Sequence, residues 1–393
     1  MKRSTERILT THTGSLPRPA DLAEVEELRD QREIRNDPRY RARVPDAVRE
    51  TVQLQANAGV DVLNDGEVSK VGYSTYITER VTGFDGELHS LTQNPSPEAL
   101  QFPGFYSGQT TARLLRLPAC NGQIRWVGDE LVRTDIENLK AATQGVPHED
   151  VFMSAASPGV FWFFYPNEYY KTDEEYVFAA ADAMKHEYQA IVDAGFTLQL
   201  DAPDLAMGWN RPFFIDKTEE DFRKMVAMHV EALNHATAGI PEDRMRMHVC
   251  WGNGASPHTR DIPLTRVVDL LLHARPAGLS LVAANARHEY EWRVWDERKL
   301  PEGKVLIPGV VDSLSNVVEH PQTIAQRLER FAGLVGKENV IAGSDCGFGT
   351  IARSVNTIHP EVTWAKLKAM ADGARLASDT LWGRTATTLA GAR

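Results

Sequence analysis

Eight short β-branched or apolar runs, separated by stretches of helical periodicity, constrain this chain more than any other feature. They are Ile8–Thr13, Val60–Asn64, Val151–Ala155, Thr197–Leu200, Met245–Cys250, Leu279–Ala283, Val305–Val311 and Val340–Ala342. Strands that alternate with helices pair in parallel, because a parallel connection needs a crossover long enough to hold a helix. Eight such units close into a barrel, so a single (β/α)8 barrel over 1–393 is the expected fold class. A doubly wound open sheet is the other arrangement the alternation allows. Helices are expected from Pro45-Asp46 to Ala58 with Gly59 as the stop, from Thr172 to Ala194, and over Thr218–Thr237, Leu264–Ala274, Pro321–Val335 and Glu361–Ser378.

A barrel of this kind needs about 250 residues. The chain has 393, and the surplus collects in one place. Residues 69–129 break the repeat with Gly, Pro, Thr and scattered aromatics such as Phe84, Phe102, Phe105 and Tyr106. They read as an insertion after the second strand, a lid or contact surface over the mouth.

The polar residues fall where a barrel would use them. Nearly every run ends in His, Asp, Glu, Cys, Ser or Asn, and in a β/α barrel those ends converge on the catalytic face. His248-Val249-Cys250 lies on the fifth run, where residues two apart share a face, and Cys346 follows the eighth. One imidazole and two thiolates match the three protein ligands of a catalytic zinc with an exchangeable fourth position. A buried cysteine is also common as small apolar filler. That is the reading given to Cys120, which lies in the irregular insertion.

The net charge is −11 and no basic stripe offsets it, so nucleic acid is not an expected partner. No run of about 18 apolar residues occurs, so neither a membrane span nor a membrane partner is expected. Three cysteines without a signal peptide fit a cytoplasmic setting rather than a disulfide framework. Oligomeric state is not legible, although barrels of this kind often pair as homodimers.

Specific motifs carry a resemblance. HVCWGN, QLDAPDLAMGW, VLIPGVVDSLSNVVEHPQTIAQRL and VIAGSDCGFGT, with THTGSLPRP and NDGEVSK ahead of them, resemble the cobalamin-independent methionine synthase family. The similarity is to its catalytic-domain branch, including the methionine synthase II-like proteins. It spans most of the chain and keeps motif order. The resemblance implies a β/α barrel with zinc held by His248, Cys250 and Cys346, and a thiol taken up as thiolate that attacks an electrophilic carbon. It implies a small thiol as substrate, methylated from a reduced folate or corrinoid-type carrier.

The resemblance also implies site roles. The Gly14-Ser15 turn, following His12, would receive the carboxylate of homocysteine. Glu67 would lie near the amino acid and the folate, and Asp201 would hold the substrate amine. His12, Gly14, Ser15, Glu67, Asp201 and Trp251 are thus the substrate-site candidates, with Asp201 and Glu67 as catalytic carboxylates. Trp251, beside Cys250, would shield the metal. Arg18 and Lys70 could meet an anionic substrate group. Phe161-Trp162-Phe163-Phe164-Tyr165 either walls the pocket or packs beneath the insertion. Asp345, adjacent to Cys346, either accepts a hydrogen bond from a ligand or caps a helix.

One departure bears on activity. Methionine synthases carry a glutamate as a fourth zinc ligand on the sixth strand, and here Val282 stands in its place. Water, substrate, Glu289 or His288 would then complete the sphere. A more open metal also suits a related chemistry, the alkylation or carbon–sulfur cleavage of the epoxyalkane:coenzyme M transferase type. A third possibility is a relative that binds a ligand without catalysis.

Overall fold

The computed structural model describes residues 1–27, 37–90, 95–107, 116–349 and 358–384. Eight parallel strands form one sheet. They are β1 (Leu9–Thr10), β2 (Val62–Leu63), β5 (Asp150–Ala156), β6 (Thr197–Asp201), β7 (Met245–Val249), β8 (Gly278–Leu281), β9 (Val305–Val311) and β10 (Ile341–Ser344). The order β1-β10-β9-β8-β7-β6-β5-β2 curls the sheet into a nearly closed barrel. The seam between β1 and β2 is stitched by Asp61. Its carboxylate accepts from the Thr10 N–H and hydroxyl, both at 2.9 Å, and its own N–H donates to Thr10 O at 3.2 Å. Every strand residue of this sheet but Asp150 is buried, as expected when helices cover the outside of a parallel sheet.

The expected strands all lie within the observed sheet, each to within a few residues. The helices show two corrections. The helix expected from Pro45 starts at Pro38, capped by the Asp37 carboxylate on the Arg39 N–H, and Pro45 sits inside it. Two prolines seven residues apart each suit a first-turn position, and the capping aspartate selects the earlier one. The single helix expected over Leu264–Ala274 is a 3-10 turn, Leu264–Arg266, followed by the short helix Val268–Leu272. The remaining helices, Asp173–Asp193, Glu219–Ala236, Pro321–Val335 and Pro360–Leu381, match their expected spans closely.

After β2 the chain leaves the repeat. It forms a 3-10 turn at Tyr76–Glu79 and then a separate antiparallel hairpin, β3 (Leu88–Ser90) with β4 (Arg116–Pro118). Helix Asp129–Thr143, which periodicity reading passed over, then returns to the outer layer and packs on helices Pro38–Ala58 and Asp173–Asp193. Glu98 binds this excursion to the loop after β7. It is fully buried and accepts from the Thr259 N–H at 2.6 Å and the Tyr106 hydroxyl at 2.5 Å. Among the described residues no helix is long and apolar enough to cross a membrane.

Candidate metal centre at the barrel mouth

His248 and Cys250 lie two apart at the end of β7, so the pleat aims both the same way. Cys346 reaches them from β10 through a local irregularity, because the β9–β10 register shifts between Gly343 and Ser344. Asp345 fixes that turn. Its carboxylate accepts three backbone N–H groups, from Ala283 at 2.8 Å, Ala284 at 2.8 Å and Asn285 at 2.6 Å. This assigns Asp345 a structural part, tying the end of β8 to the residue before Cys346.

One ligand atom from each of His248, Cys250 and Cys346 lies within 4.8 Å of the others, and all three residues are buried. His248 Nδ1 is 3.3 Å from the Ser280 hydroxyl, while its Nε2 is buried with no hydrogen-bond partner. A buried polar atom without a partner is costly, and an Nε2 lone pair beside two thiols is the donor set of a zinc site. The two thiols share a proton. Hydrogen bonding to Cys346, helped by His248, holds Cys250 well below the usual thiol range, and the same contact pushes Cys346 up.

The pocket beside these ligands is small, about 40 Å³, room for a few waters. Five strand ends line it: Thr13 and Ser15, Glu67 and Tyr73, Asp201 with Pro203 and Met207, the β7 end through Asn253, and Cys346 with Gly347. A larger cavity of about 680 Å³ lies away from the mouth, beside helices Pro38–Ala58 and Asp129–Thr143. It gathers no soft ligands.

Glu67 stands in a left-handed backbone conformation, φ 56°, uncommon for a residue with a side chain. Asp65 holds this turn by accepting the Glu67 N–H at 2.9 Å. Gly14, at φ 138°, leaves the carboxylate its space, since a Cβ there would fall 2.6 Å from Glu67 Oε1. Asp201 is set by Gln199, whose amide donates to its Oδ1 at 2.8 Å, and Gln199 is itself held by the Arg246 guanidinium at 2.6 Å.

Burial, then the neighbouring Asp201 charge, pushes Glu67 up to about 8. Burial also raises Asp201 to about 6, against the pull of His248 and Gln199. In the metal-free protein the Glu67–Asp201 pair therefore retains a proton above the ordinary carboxylate range. Above the ordinary carboxylate range the unfolded chain has released a proton that the folded protein keeps, so stability falls as pH rises toward 8. Glu67→Gln should flatten that fall by about 1–4 kcal/mol between pH 5 and 8, at 1.36 kcal/mol per pKa unit. Urea unfolding of metal-free protein across that range checks it, and equal slopes in both proteins would contradict it.

The other candidates divide. Ser15 lines the pocket. The Gly14 N–H donates to His12 Nδ1 at 3.2 Å, and His12 Nε2 meets Gln55 Oε1 at 2.9 Å. Burial pushes His12 down to about 4, so it is a neutral ring pinning the turn rather than a pocket wall. Trp251 lies in an adjoining crevice with Val282, His288 and Cys346, its indole N–H on Ile262 O at 2.6 Å. Arg18 donates to the backbone oxygens of Gly349, Glu67 and Lys70, and Lys70 to that of Ser154.

Neither expected substitute ligand joins the trio. His288 is held by Asp261 at 2.8 Å and Glu291 at 3.0 Å, and Glu289 pairs with Arg327 at 3.2 Å. Of the alternatives for the aromatic run, packing beneath the insertion is the one observed: Phe84 meets Phe161 and Tyr165 with ring centroids at 5.8 and 5.1 Å. Tyr73, like Met207 and Asn253, is a pocket residue that sequence reading missed. It lies inside the irregular stretch, where no periodicity marks it.

Residues 8–111 match the family profile described as the catalytic domain of cobalamin-independent synthase. A methionine synthase of Saccharolobus solfataricus is 25% identical over 375 residues, covering 95% of each chain. One from Thermococcus kodakarensis is 24% identical over 349 residues, covering 88% of each. Among solved structures, a B12-independent methionine synthase from Shewanella sp. W3-18-1, in complex with selenomethionine, superposes with a TM-score of 0.73. Its sequence identity is 18%, with 96% of this chain and 99% of that one covered. At that identity the superposition speaks for the fold alone.

Proposed function

We propose that this chain, similar to cobalamin-independent methionine synthases over most of its length, is a zinc-dependent methyltransferase acting on a small, homocysteine-like thiol. The observation that carries this is the convergence of His248, Cys250 and Cys346, with the His248 Nε2 buried and unbonded. Those three side chains would hold the ion. Zinc bound there supplies a Lewis acid that lowers a thiol pKa toward neutrality.

The remaining work belongs to the chain's own groups. Ser280, 3.3 Å from His248 Nδ1, would accept its N–H when Nε2 is turned to the ion. Asp201, ionised and held by Gln199, receives a substrate ammonium. Glu67 keeps its proton at neutral pH and offers an O–H to an anionic oxygen. Ser15 contributes its hydroxyl at the β1 end. The segment 69–129 serves as a lid, a role supported by the Glu98 clamp onto the loop after β7. The methyl donor is a reduced folate or a corrinoid-type carrier.

The test is zinc content per chain, followed by cobalt substitution and titration with homocysteine. A shift in the cobalt spectrum, with methyl transfer from methyltetrahydrofolate, is expected. A protein that takes up no zinc, or whose cobalt form ignores every thiol, would remove this reading. Val282 lines a crevice together with Cys346, so Val282→Glu should add a fourth ligand. Zinc affinity should rise by roughly tenfold or more, on the scale that even outer groups exert, measured by chelator competition. Unchanged affinity would mean that this position does not face the metal.

A further inference from the structure

Arg211 follows β6 by ten residues and carries a charge that nothing nearby answers. Its guanidinium lies over the Phe163 ring at 4.5 Å and gives one hydrogen bond, Nη2 to Phe163 O at 3.2 Å. Its Nε is buried with no partner. No described carboxylate lies within ion-pair distance of it. Contrast Arg80, fully buried, which meets both Asp135 and Glu187. In a chain of net charge −11, a largely desolvated cation without an acidic neighbour is out of keeping with its surroundings. Burial alone pushes it down to about 10. An uncompensated buried charge costs several kcal/mol, and an arginine fork has the geometry to receive a carboxylate or sulfonate through two N–H bonds.

Position connects this charge to the mouth. Tyr73 lines the pocket with the three metal ligands, and its hydroxyl makes no hydrogen bond among the described residues. Burial, then the nearby Cys250, Cys346 and Asp201, push that phenol up against the pull of Arg211, so Tyr73 lies within electrostatic reach of both the ligands and the guanidinium. Met207, four residues before Arg211, lines the same pocket. The Gly14 N–H, the backbone donor expected for a substrate carboxylate, is already committed to His12.

We propose that Arg211 is an oxyanion-binding site at the barrel mouth, receiving the carboxylate or sulfonate of a reactant. It rests on the thiol-transfer reading above and adds to it that a reactant is anionic at the end remote from the reacting atom. Two sources share this chemistry, the thiol itself and the methyl donor.

The experiment uses zinc-loaded protein and, in parallel, its cobalt-substituted form. Ethanesulfonate and propionate, which carry the anion without a thiol, are titrated by calorimetry into the wild type, Arg211→Met, Arg211→Gln and Arg211→Lys. Wild type should bind them at least tenfold more tightly than the Met and Gln variants, with Lys retaining part of the affinity. The cobalt spectrum is then followed with 2-mercaptoethanesulfonate, 3-mercaptopropionate and neutral 2-mercaptoethanol. If Arg211→Met weakens the two anionic thiols and leaves 2-mercaptoethanol alone, the anion is on the thiol. If thiol binding is unmoved while KM for methyltetrahydrofolate rises with kcat held, it is on the donor. Equal anion and donor affinities in wild type and all three variants would overturn the assignment. Anion binding that depends on Arg211 in a protein whose cobalt form ignores every thiol would keep the site and remove the thiol-transfer reading instead.

Discussion

Replacing Cys346 by serine is expected to lower zinc affinity by at least ~100-fold and to take methyl transfer down with it. Outer-shell partners of a metal already cost about 10–100-fold when removed, and a directly bound thiolate exceeds them. Serine keeps the shape and gives up the charge, because its hydroxyl is neutral near pH 7 and is a poor ligand for zinc. The turn that presents residue 346 should survive. It is fixed by the Asp345 carboxylate on Ala283, Ala284 and Asn285 and by the Ser344 hydroxyl on Cys346 O at 2.9 Å, none of which uses the sulfur. Losses of metal and activity without a comparable loss of thermal stability in the metal-free protein are therefore the expected pattern. Cys120→Ser is the control, since Cys120 is fully buried in the insertion and bonds to Gly122 O. Zinc per chain after dialysis against a chelator, with initial rates, decides the matter. Stoichiometric zinc and full activity in the Cys346 variant would remove the ligand assignment.

That such a prediction can be made at all reflects which parts of this molecule are written locally. Strands of a parallel barrel are buried on both faces, so they stand out as short β-branched runs bounded by polar residues. Val305–Val311 coincides with β9, and Met245–Cys250 overruns β7 by one residue. Because strand ends converge by topology, His248, Cys250 and Cys346 were brought together by the fold alone. Glu67 and Asp201 lie at strand ends as well, but their roles were legible only through the family resemblance.

What was not legible depends on contacts made at a distance. His12 lies near the end of the first run as a substrate-site candidate, yet Gln55, from the helix before β2, pairs with its ring while the Gly14 N–H donates to its other nitrogen. Helix Asp129–Thr143 has an amphipathic pattern, but it follows irregular sequence and starts at Gly128, which offers no side-chain cap. Tyr73 and Arg211 lie in segments without period, and only tertiary placement beside the pocket gives them meaning. No spacing rule separates a stray arginine from one that has lost its counter-charge.

The insertion shows the same dependence in its energetics, and there the second large effect is expected. Arg80 is buried between Asp135 of helix Asp129–Thr143 and Glu187 of helix Asp173–Asp193, bonding to both carboxylates. Its guanidinium also covers the Tyr76 ring at 4.7 Å. Tyr76 in turn donates to Glu187 at 3.1 Å and accepts the Ala156 N–H at the end of β5 at 2.9 Å. One cation thus joins the segment after β2, two outer helices and a strand end that borders the mouth. Arg80→Met would leave two carboxylates buried without their counter-charge, an arrangement that costs about 3–5 kcal/mol. Their mutual repulsion falls on the helix contact that carries the insertion, so Tyr73, three residues before Tyr76, should lose its fixed place as well. Urea unfolding should show the loss of stability. Replacing Glu187 by glutamine and Asp135 by asparagine in the Arg80→Met background should recover part of it, because neutral amides leave no buried charge behind. If Arg80→Met alone unfolds at the wild-type denaturant concentration, the buried triad does not hold the insertion to the barrel. The anchoring of Tyr73 through Tyr76 would then need another source.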